Sequence, residues 1–524
     1  MHIQIGATQD RRTELPCELF FTDATRLDLP IVIDGQPLLV GGKPYRLPDA
    51  AKRAFEAAAI PNGMPFMLNA DGSYAGAVNA FLRSLPANGC PSRNTWRGYA
   101  YDIKAFAGYL AAQPDSPGLF RVERHHVDGF ACARRLSAAD AERAPIHPST
   151  WNRGIAALDK LYTWAADRDA TVKAPFTYKE TVVRMAGGGV IATRRNNALA
   201  REGDKGVVRC ISLGEYLQFR DIGLLGRLPD GSADASFRGR NALRNGAFAE
   251  LSITNGARLE ENASILLAEL PDPDAAQWKD FSSCPMQLGR LTTKGDKGRR
   301  IWVPKRVLRQ HVVPYREEDR DNAVAKAMQA GTYAHLRNVI RVGAWHSRDC
   351  TAVGRSARLH YDMLAHADRA RMFSVGADGE IFEPGMLWLT EQGLPSGMAN
   401  FEAIFARACG RLAAFGIDID VTPHVLRHTF ATYMLAHLIR TCMESLDNLR
   451  FERRHASAGA YAALLHDPLR RLQKLLGHAS SASTEIYLHY LEEADELVEE
   501  AIGSWGDRLG APVELEPARQ SDGA

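Results

Sequence analysis

The sequence predicts a mainly α, multidomain protein with a small β component, and three observations predict it. At 524 residues the chain exceeds one ordinary domain, and a hydrophobic content of 45% supplies two or three cores. Apolar residues recur at helical spacing through two long stretches, and a basic segment containing Gly187 and Gly188 separates them.

Taken in order, residues 1–70 form an N-terminal extension of unassigned role. Within it Pro30–Ile33 and Pro37–Val40 flank Asp34-Gly35, a hairpin signal. Residues 71–175 read as a helical domain. Asn94 is placed to cap a helix with Trp96, Ala100, Ile103, Phe106, Ala107 and Leu110 on one stripe, and Ser149-Thr150 precedes another with Trp151, Ile155, Leu158, Leu161 and Tyr162. Residues 176–210 read as a basic linker. A second, larger domain follows over 211–505. In it Asn241 to Ser252 reads as a helix leading to Gly256-Ala257-Arg258, while Met286–Thr293 and Arg299–Val303 make a hairpin around Lys294-Gly295-Asp296-Lys297-Gly298. Intervals near 305–395 and 439–466 look like insertions, and 506–524 is an acidic tail.

The densest signal lies between Val421 and Tyr490. Thr422 and Pro423 are an N-cap and a first-turn proline. On the helix they start, Leu426, Phe430 and Tyr433 share one face, while His424, Arg427 and His428 lie roughly opposite, presented away from the packing side. Asp467-Pro468 opens a second helix with Leu469, Leu472, Leu475 and Leu476, stopped by Gly477, so His478 sits just past a helix C-terminus. A third helix carries Ile486, Tyr487, Tyr490, Leu491, Ala494, Leu497, Val498 and Ala501 as an apolar stripe.

Charge is unevenly spread. The net charge is +2, yet residues 491–524 hold ten acidic and two basic side chains, net −8, which leaves about +10 on residues 1–490. Residues 171–210 hold eight Lys/Arg against three Asp/Glu, a local +5 suited to phosphate contacts or to a solvated linker. No apolar run reaches the ~18 residues of a membrane span, and the N-terminus lacks the apolar core of a signal peptide. The eight cysteines are scattered without a Cys-x-x-Cys pair or metal-ligand spacing, and read as reduced, mostly structural thiols. A soluble, intracellular protein without a membrane partner is expected.

The run His424-x-x-Arg427, the run Leu476-Gly477-His478 and a tyrosine nine residues beyond that histidine, Tyr487, resemble the tyrosine recombinases, the phage-integrase family. Thr254 to Glu261 is similar to the family's first arginine motif, with a glycine two before Arg258 and an acidic residue, Glu261, three after it. The resemblance implies a helical core-binding (SAM-like) DNA-binding domain at 71–175 and an α+β catalytic domain with a small β-hairpin or sheet at 211–505. On the hairpin, Lys294 in its Lys-Gly-x-Lys run matches the family's catalytic lysine better than Lys297.

The residue types suit phosphoryl transfer without water or metal. A phenol, with pKa near ~10, is both nucleophile and later leaving group, and Tyr487 takes that role. Arg258 and Arg427 offer paired hydrogen bonds to the non-bridging oxygens and stay charged. Lys294 protonates the leaving 5′ oxygen, and His424 and His478 orient or protonate the phosphate or assist deprotonation of the tyrosine. His478 at a helix C-terminus is expected as the imidazolium. Glu261 supports Arg258. The resemblance implies a 3′-phosphotyrosine intermediate on double-stranded DNA sites, no metal, ATP or other cofactor, a homotetramer on DNA, accessory DNA-bending or directionality proteins, and a cytoplasmic, nucleoid-associated enzyme. The helix after Tyr487 docks either on its own domain or on a neighbouring protomer.

Three rivals stand beside this reading. His424 and His428 have the i, i+4 spacing of a zinc helix, but Val425 stands where a metalloprotease needs glutamate. Type IB topoisomerase-like strand relaxation uses much the same residues. A DNA-binding protein without catalysis is the third, against which all six expected side chains are present.

Overall fold

The computed structural model describes residues 15–23, 32–33, 36–37, 39–58, 60–90, 92–135, 145–184, 190–201, 209–451, 468–478 and 480–490. The chain divides into two units, Met1–Gly206 and Val207–Ala524.

In the first unit, β1 (Pro16–Phe21) runs antiparallel to the later strand at Pro65–Asn69, with Leu19 opposite Met67. Between them, β2 (Val32–Ile33) and β3 (Gln36–Pro37) form the expected hairpin, and β4 (Leu39–Val40) and β5 (Lys43–Pro44) form another. Helix α1 (Asp49–Ala57) then leads to β6, the Pro65–Asn69 strand. Leu15, Met64 and Met67 join the core built by α2 (Gly76–Ser84), α3 (Arg93–Ala111), α4 (Arg124–Arg135) and α5 (Pro148–Ala166). Leu15 and the segment at Met64–Met67 are therefore part of this unit's core.

The predicted stripes on α3 and α5 are buried, each residue less than 5% exposed. Their N-caps differ from expectation: Ser92 precedes α3 in place of Asn94, and His147 accepts the Ser149 N–H ahead of Pro148 in α5. Residues 176–210, expected as a linker, contain an antiparallel hairpin, β7 (Tyr178–Arg184) with β8 (Val190–Asn196). Phe176 and Ala200 are buried in the same core, and the Trp151 indole N–H donates to the Ala198 carbonyl at 2.7 Å, which fixes the hairpin's ends.

The second unit is organised around α7 (Ala242–Asn255), buried on nearly every side. Phe248 stacks on Phe401 with centroids 3.7 Å apart and meets Trp388 edge-on at 5.4 Å. The partners come from α6 (Leu213–Gln218), α8 (Leu259–Ala263), the hairpin β9 (Ser283–Leu288) with β10 (Arg299–Pro304), α9 (Met398–Ala414) and α10 (Pro423–Phe451). Strand β9 ends before the expected Thr293, because Arg290–Thr292 turns into a 3₁₀ helix.

The interval 305–395 is a folded subdomain. Its sheet runs in the order β13 (Leu359–His360), β12 (Asp349–Ala352), β11 (Ile340–Trp345), β14 (Met372–Val375) and β15 (Ile381–Pro384), with β11 and β14 parallel and the other pairs antiparallel. Its core of Val342, Cys350, Met372 and Met386 includes Leu266 of the preceding segment. The interval expected as a second insertion opens differently: α10 continues unbroken to Phe451. Residues 452–467 lie outside the described residues, as do the stripe from Leu491 onward and the acidic tail.

Candidate active site

Arg258 is set by a turn that has little freedom. Gly256 takes φ +63°, and a Cβ there would come within 2.2 Å of the Phe430 ring, so both the backbone and the space require glycine. Asn255 bonds the Ala257 N–H at 2.8 Å and Asn262 at 3.0 Å, locking the turn from within. Glu261 then reaches back to the Arg258 N–H at 2.7 Å, closing the first turn of α8, and accepts from the Arg258 guanidinium at 3.0 Å.

Glu261 is itself held by Arg299 through two bonds of 2.6 Å. Burial alone would raise the Glu261 carboxyl, but the Arg299 bonds and charge, with Arg258, hold it below the usual carboxylate range. Arg299 also donates to the Leu475 carbonyl at 2.9 Å. It thus ties the β9–β10 hairpin to both the Arg258 turn and the end of the helix α11 at 468–476. Sequence reading missed this residue.

Thr422 caps α10, its hydroxyl accepting the Val425 N–H at 3.2 Å. On that helix Leu426 and Phe430 are buried as expected, but Tyr433 is 51% exposed, and Arg427, expected to face away from the packing side, is 2% exposed. The reason is that α10 is packed on more than one side: Arg427 donates to the Gly256 carbonyl and, at 2.7 Å, to the Leu476 carbonyl. Burial, then the Arg258 charge, pulls its pKa down to about 9, which leaves it charged at neutral pH.

Gly477 ends α11 as expected, with φ +64°. The Gly477 N–H bonds the Lys474 carbonyl at 3.2 Å and the His478 N–H bonds the Gln473 carbonyl at 3.1 Å, the paired bonds of a Schellman cap. This turn delivers His478 to Arg427, whose guanidinium donates to His478 Nε2 at 3.2 Å, while Nδ1 meets the Thr484 hydroxyl at 3.0 Å. An arginine can only donate, so Nε2 accepts and Nδ1 carries the proton. The expectation of an imidazolium at His478 is corrected here. Burial first, then Arg427, Arg258 and Arg299, drive its pKa down to about 3, outweighing the helix C-terminus.

Tyr487 lies in a 3₁₀ turn, Ile486–Tyr490, after a short helix at Ala482–Glu485. Its ring packs with Phe430, Leu435, Leu472 and Leu476 and is 1% exposed. The hydroxyl is 2.9 Å from His428 Nδ1. His428, which sequence reading placed on the polar face with His424 and Arg427 but weighed for chemistry as half of a zinc pair, is thus the side chain in contact with the tyrosine hydroxyl. Its place on that face beside Arg427 was the available signal. The His424 ring stands 4.2 Å from that of His428 and is itself exposed. Partial loss of hydration against the protein lowers the pKa of His424 although the side chain is exposed, and Arg427 and Arg258 lower it further.

Lys294 is exposed in the turn between β9 and β10, where Gly295 and Asp296 take φ of 80° and 54°. Among the described residues no hydrogen bond joins it to the cluster. The structure therefore brings together Arg258, Glu261, His424, Arg427, His478 and Tyr487, adds Arg299 and His428, and leaves Lys294 at the edge of the hairpin that Arg299 anchors. Cavities of about 610 and 710 Å³ in this unit include neither Arg427 nor Tyr487 in their walls.

Among the described residues, His424 and His428 gather no third metal-ligating side chain. One trio does cluster, Asp115, His125 and His126 of the first unit. There His126 Nδ1 accepts the Glu123 N–H at 3.1 Å and Nε2 meets Asp115 at 3.0 Å, so both nitrogens already serve the start of α4.

Residues 78–169 match the family model for the phage integrase N-terminal SAM-like domain. Tyrosine recombinase XerC 1 of Ralstonia nicotianae is 30% identical over 412 residues, covering 78% of this chain and 88% of the relative. Tyrosine recombinase XerC of Ralstonia pickettii is 26% identical over 235 residues, covering 43% of this chain and 54% of the relative. The solved XerH site-specific recombinase bound to palindromic difH substrate is similar at a TM-score of 0.39 and 12% identity, over 82% of this chain and 85% of that one. The 30% identity to the Ralstonia nicotianae relative over 78% of this chain, joined to the arginine, histidine and tyrosine motifs, shows that the chain belongs to the tyrosine recombinase family.

Proposed function

We propose that this recombinase cuts and rejoins DNA strands at specific sites with Tyr487 as nucleophile, through a 3′-phosphotyrosine intermediate. The observation that carries the reading is the buried cation Arg427, which no carboxylate hydrogen-bonds among the described residues, beside a tyrosine hydroxyl in the same cluster. A phosphodiester supplies the missing negative charge. Arg258 and Arg427 donate to its non-bridging oxygens, where charge gathers in the transition state. His424 and His478, neutral in the free site, gain protons more readily once the phosphate charge arrives, because an anion offsets the arginines that depress them. Lys294, carried on the hairpin turn, protonates the departing 5′ oxygen. Glu261 and Arg299 hold Arg258 in place.

The substrate is duplex DNA. In this proposal the first unit grips the duplex as a core-binding domain, four protomers act on two sites, and the freed 5′-hydroxyl attacks the partner linkage. Accessory DNA-bending or directionality proteins remain part of the proposal.

The test uses nicked suicide duplexes carrying candidate sites from the flanks of the encoding locus, with chelator present, and wild-type, Tyr487→Phe and Tyr490→Phe proteins. A covalent adduct on denaturing gels, lost only in Tyr487→Phe, is the expected result. Loss only in Tyr490→Phe would move the nucleophile one turn on. Site-specific binding with no adduct from wild type would favour the non-catalytic reading.

A further inference from the structure

We infer that His428 is the group that positions the Tyr487 hydroxyl and receives its proton during strand cleavage, a role that rests on Tyr487 being the nucleophile. Three side chains near the site carry imidazoles, and the geometry separates them. His478 is committed at both nitrogens, accepting from Arg427 and donating to Thr484. His424 is exposed and contacts the His428 ring, and no hydrogen bond joins it to Tyr487. His428 alone has a nitrogen at hydrogen-bond distance from the phenol, Nδ1 at 2.9 Å.

Among the described residues the Tyr487 hydroxyl makes no other hydrogen bond. Its ring is fixed by Phe430, Leu435, Leu472 and Leu476, with the His478 ring parallel to it at a centroid distance of 6.2 Å. The phenol is therefore aimed by packing as much as by the hydrogen bond. Burial raises its pKa, which opposes spontaneous ionisation and calls for a base in contact. The charged and titratable groups facing the pair are His424 and Arg427 on α10, His478 beyond α11, Cys210 and Arg258. Burial first, then His424 and Arg427, keep His428 neutral, with a pKa of about 4, so its Nδ1 lone pair is free to accept at neutral pH.

The step balances. The Tyr487 O–H bond breaks as Nδ1–H forms, the phenol oxygen bonds to phosphorus, and the P–O5′ bond breaks, the leaving oxygen taking its proton from the separate acid assigned to Lys294. The incoming phosphate charge stabilises the imidazolium that results. In rejoining, the 5′-hydroxyl gives its proton back to the Lys294 amine as its oxygen bonds to phosphorus, the bond from phosphorus to the Tyr487 oxygen breaks, and His428 returns its proton to the departing phenol.

The experiment measures single-turnover adduct formation on the suicide duplex from pH 5.5 to 9 with wild type, His428→Ala, His428→Asn and Tyr487→Phe, with DNA affinity and melting temperature as controls of folding. Asparagine retains a short hydrogen-bonding side chain but cannot take a proton. Both His428 variants are expected to bind the site normally and to cleave about 10²- to 10⁴-fold more slowly, with a rate that climbs steadily with pH. A substrate with sulfur in the 5′ bridging position, whose leaving group needs no proton, will not rescue them. Rescue by that substrate would make His428 an acid and overturn the inference. Full activity in His428→Asn would reduce the role to hydrogen bonding, and faster cleavage in His428→Ala would make the contact a restraint; either overturns it. Adduct formation by Tyr487→Phe would instead remove the nucleophile assignment itself.

Discussion

Arg369 and Arg427 are buried almost equally, 1% and 2% exposed, and their surroundings treat them in opposite ways. Arg369, in the 305–395 subdomain, pairs with Glu269 through both terminal nitrogens and donates to the carbonyls of Ser264 and Tyr361 at 2.9 Å and of Leu364 at 3.0 Å. Its charge is cancelled and its donors are used. Arg427 receives carbonyl oxygens and an imidazole, and Glu261, the carboxylate whose charge bears on it most, is bonded to Arg258 and Arg299. A buried cation without a carboxylate costs stability, since desolvation is not offset by an ion pair. The difference separates an arginine whose charge is paired within the fold from one that no carboxylate hydrogen-bonds among the described residues.

Substituting each arginine tests that contrast most strongly. Arg427→Ala is expected to lower the adduct-forming rate by about 10²- to 10³-fold or more, the cost of losing a transition-state donor, with little loss of stability in denaturant unfolding. Arg369→Met is expected to lose about 3–5 kcal/mol of stability, because it strands Glu269, with near-normal cleavage per folded molecule. If Arg427→Ala unfolds as readily as Arg369→Met, the two arginines serve the same purpose and the contrast is broken.

A smaller effect follows at the cap that carries His478. A Cβ on Gly477 would stand 3.0 Å from Arg299 Cδ in addition to forcing φ +64° on an L-residue. Gly477→Ala should cost about 1 kcal/mol or more in unfolding. It should also slow cleavage, through Arg299 and His478, more than that stability loss explains; cleavage at the wild-type rate would show the Arg299 bridge to be dispensable.

The smallest effect is a pH dependence with a fixed sign. The folded site refuses protons at His428 until about pH 4 and at His478 until about pH 3, whereas the unfolded chain binds them near pH ~6.5. Between those values the unfolded state holds more protons, so stability rises with pH up to ~6.5 and these groups contribute no slope above it. Melting temperature should fall between pH 7 and pH 5, and less steeply in a His428→Asn, His478→Asn double variant. An equally steep fall in the double variant would assign the acid loss to other groups.

Much of this was legible in the chain because local signals and packing agree. The α3 and α5 stripes, the Thr422-Pro423 start of α10 and the Leu472, Leu476, Gly477 sequence each specify a face or an end within one turn of the residues concerned. What was not legible depends on distant partners. Arg299 reaches a carboxylate 38 residues earlier, and nothing beside it announces Glu261. His428 shares its helix with His424, and only the placement of Tyr487 distinguishes them. The β7–β8 hairpin was hidden by the glycines and charges around it, which resemble a linker when burial is unknown. The sheet in 305–395 has strands too short for periodicity, and its parallel β11–β14 pair joins segments far apart in sequence. Tyr433 fits the apolar period of α10, yet it is 51% exposed.

The account stands most directly on the identity of the residue that becomes linked to DNA. Trapped wild-type adduct, digested with nuclease and protease, should give a single nucleotide-bearing peptide with the modification on Tyr487. A nucleotide on Tyr490, or on any serine or histidine of the same region, would contradict it.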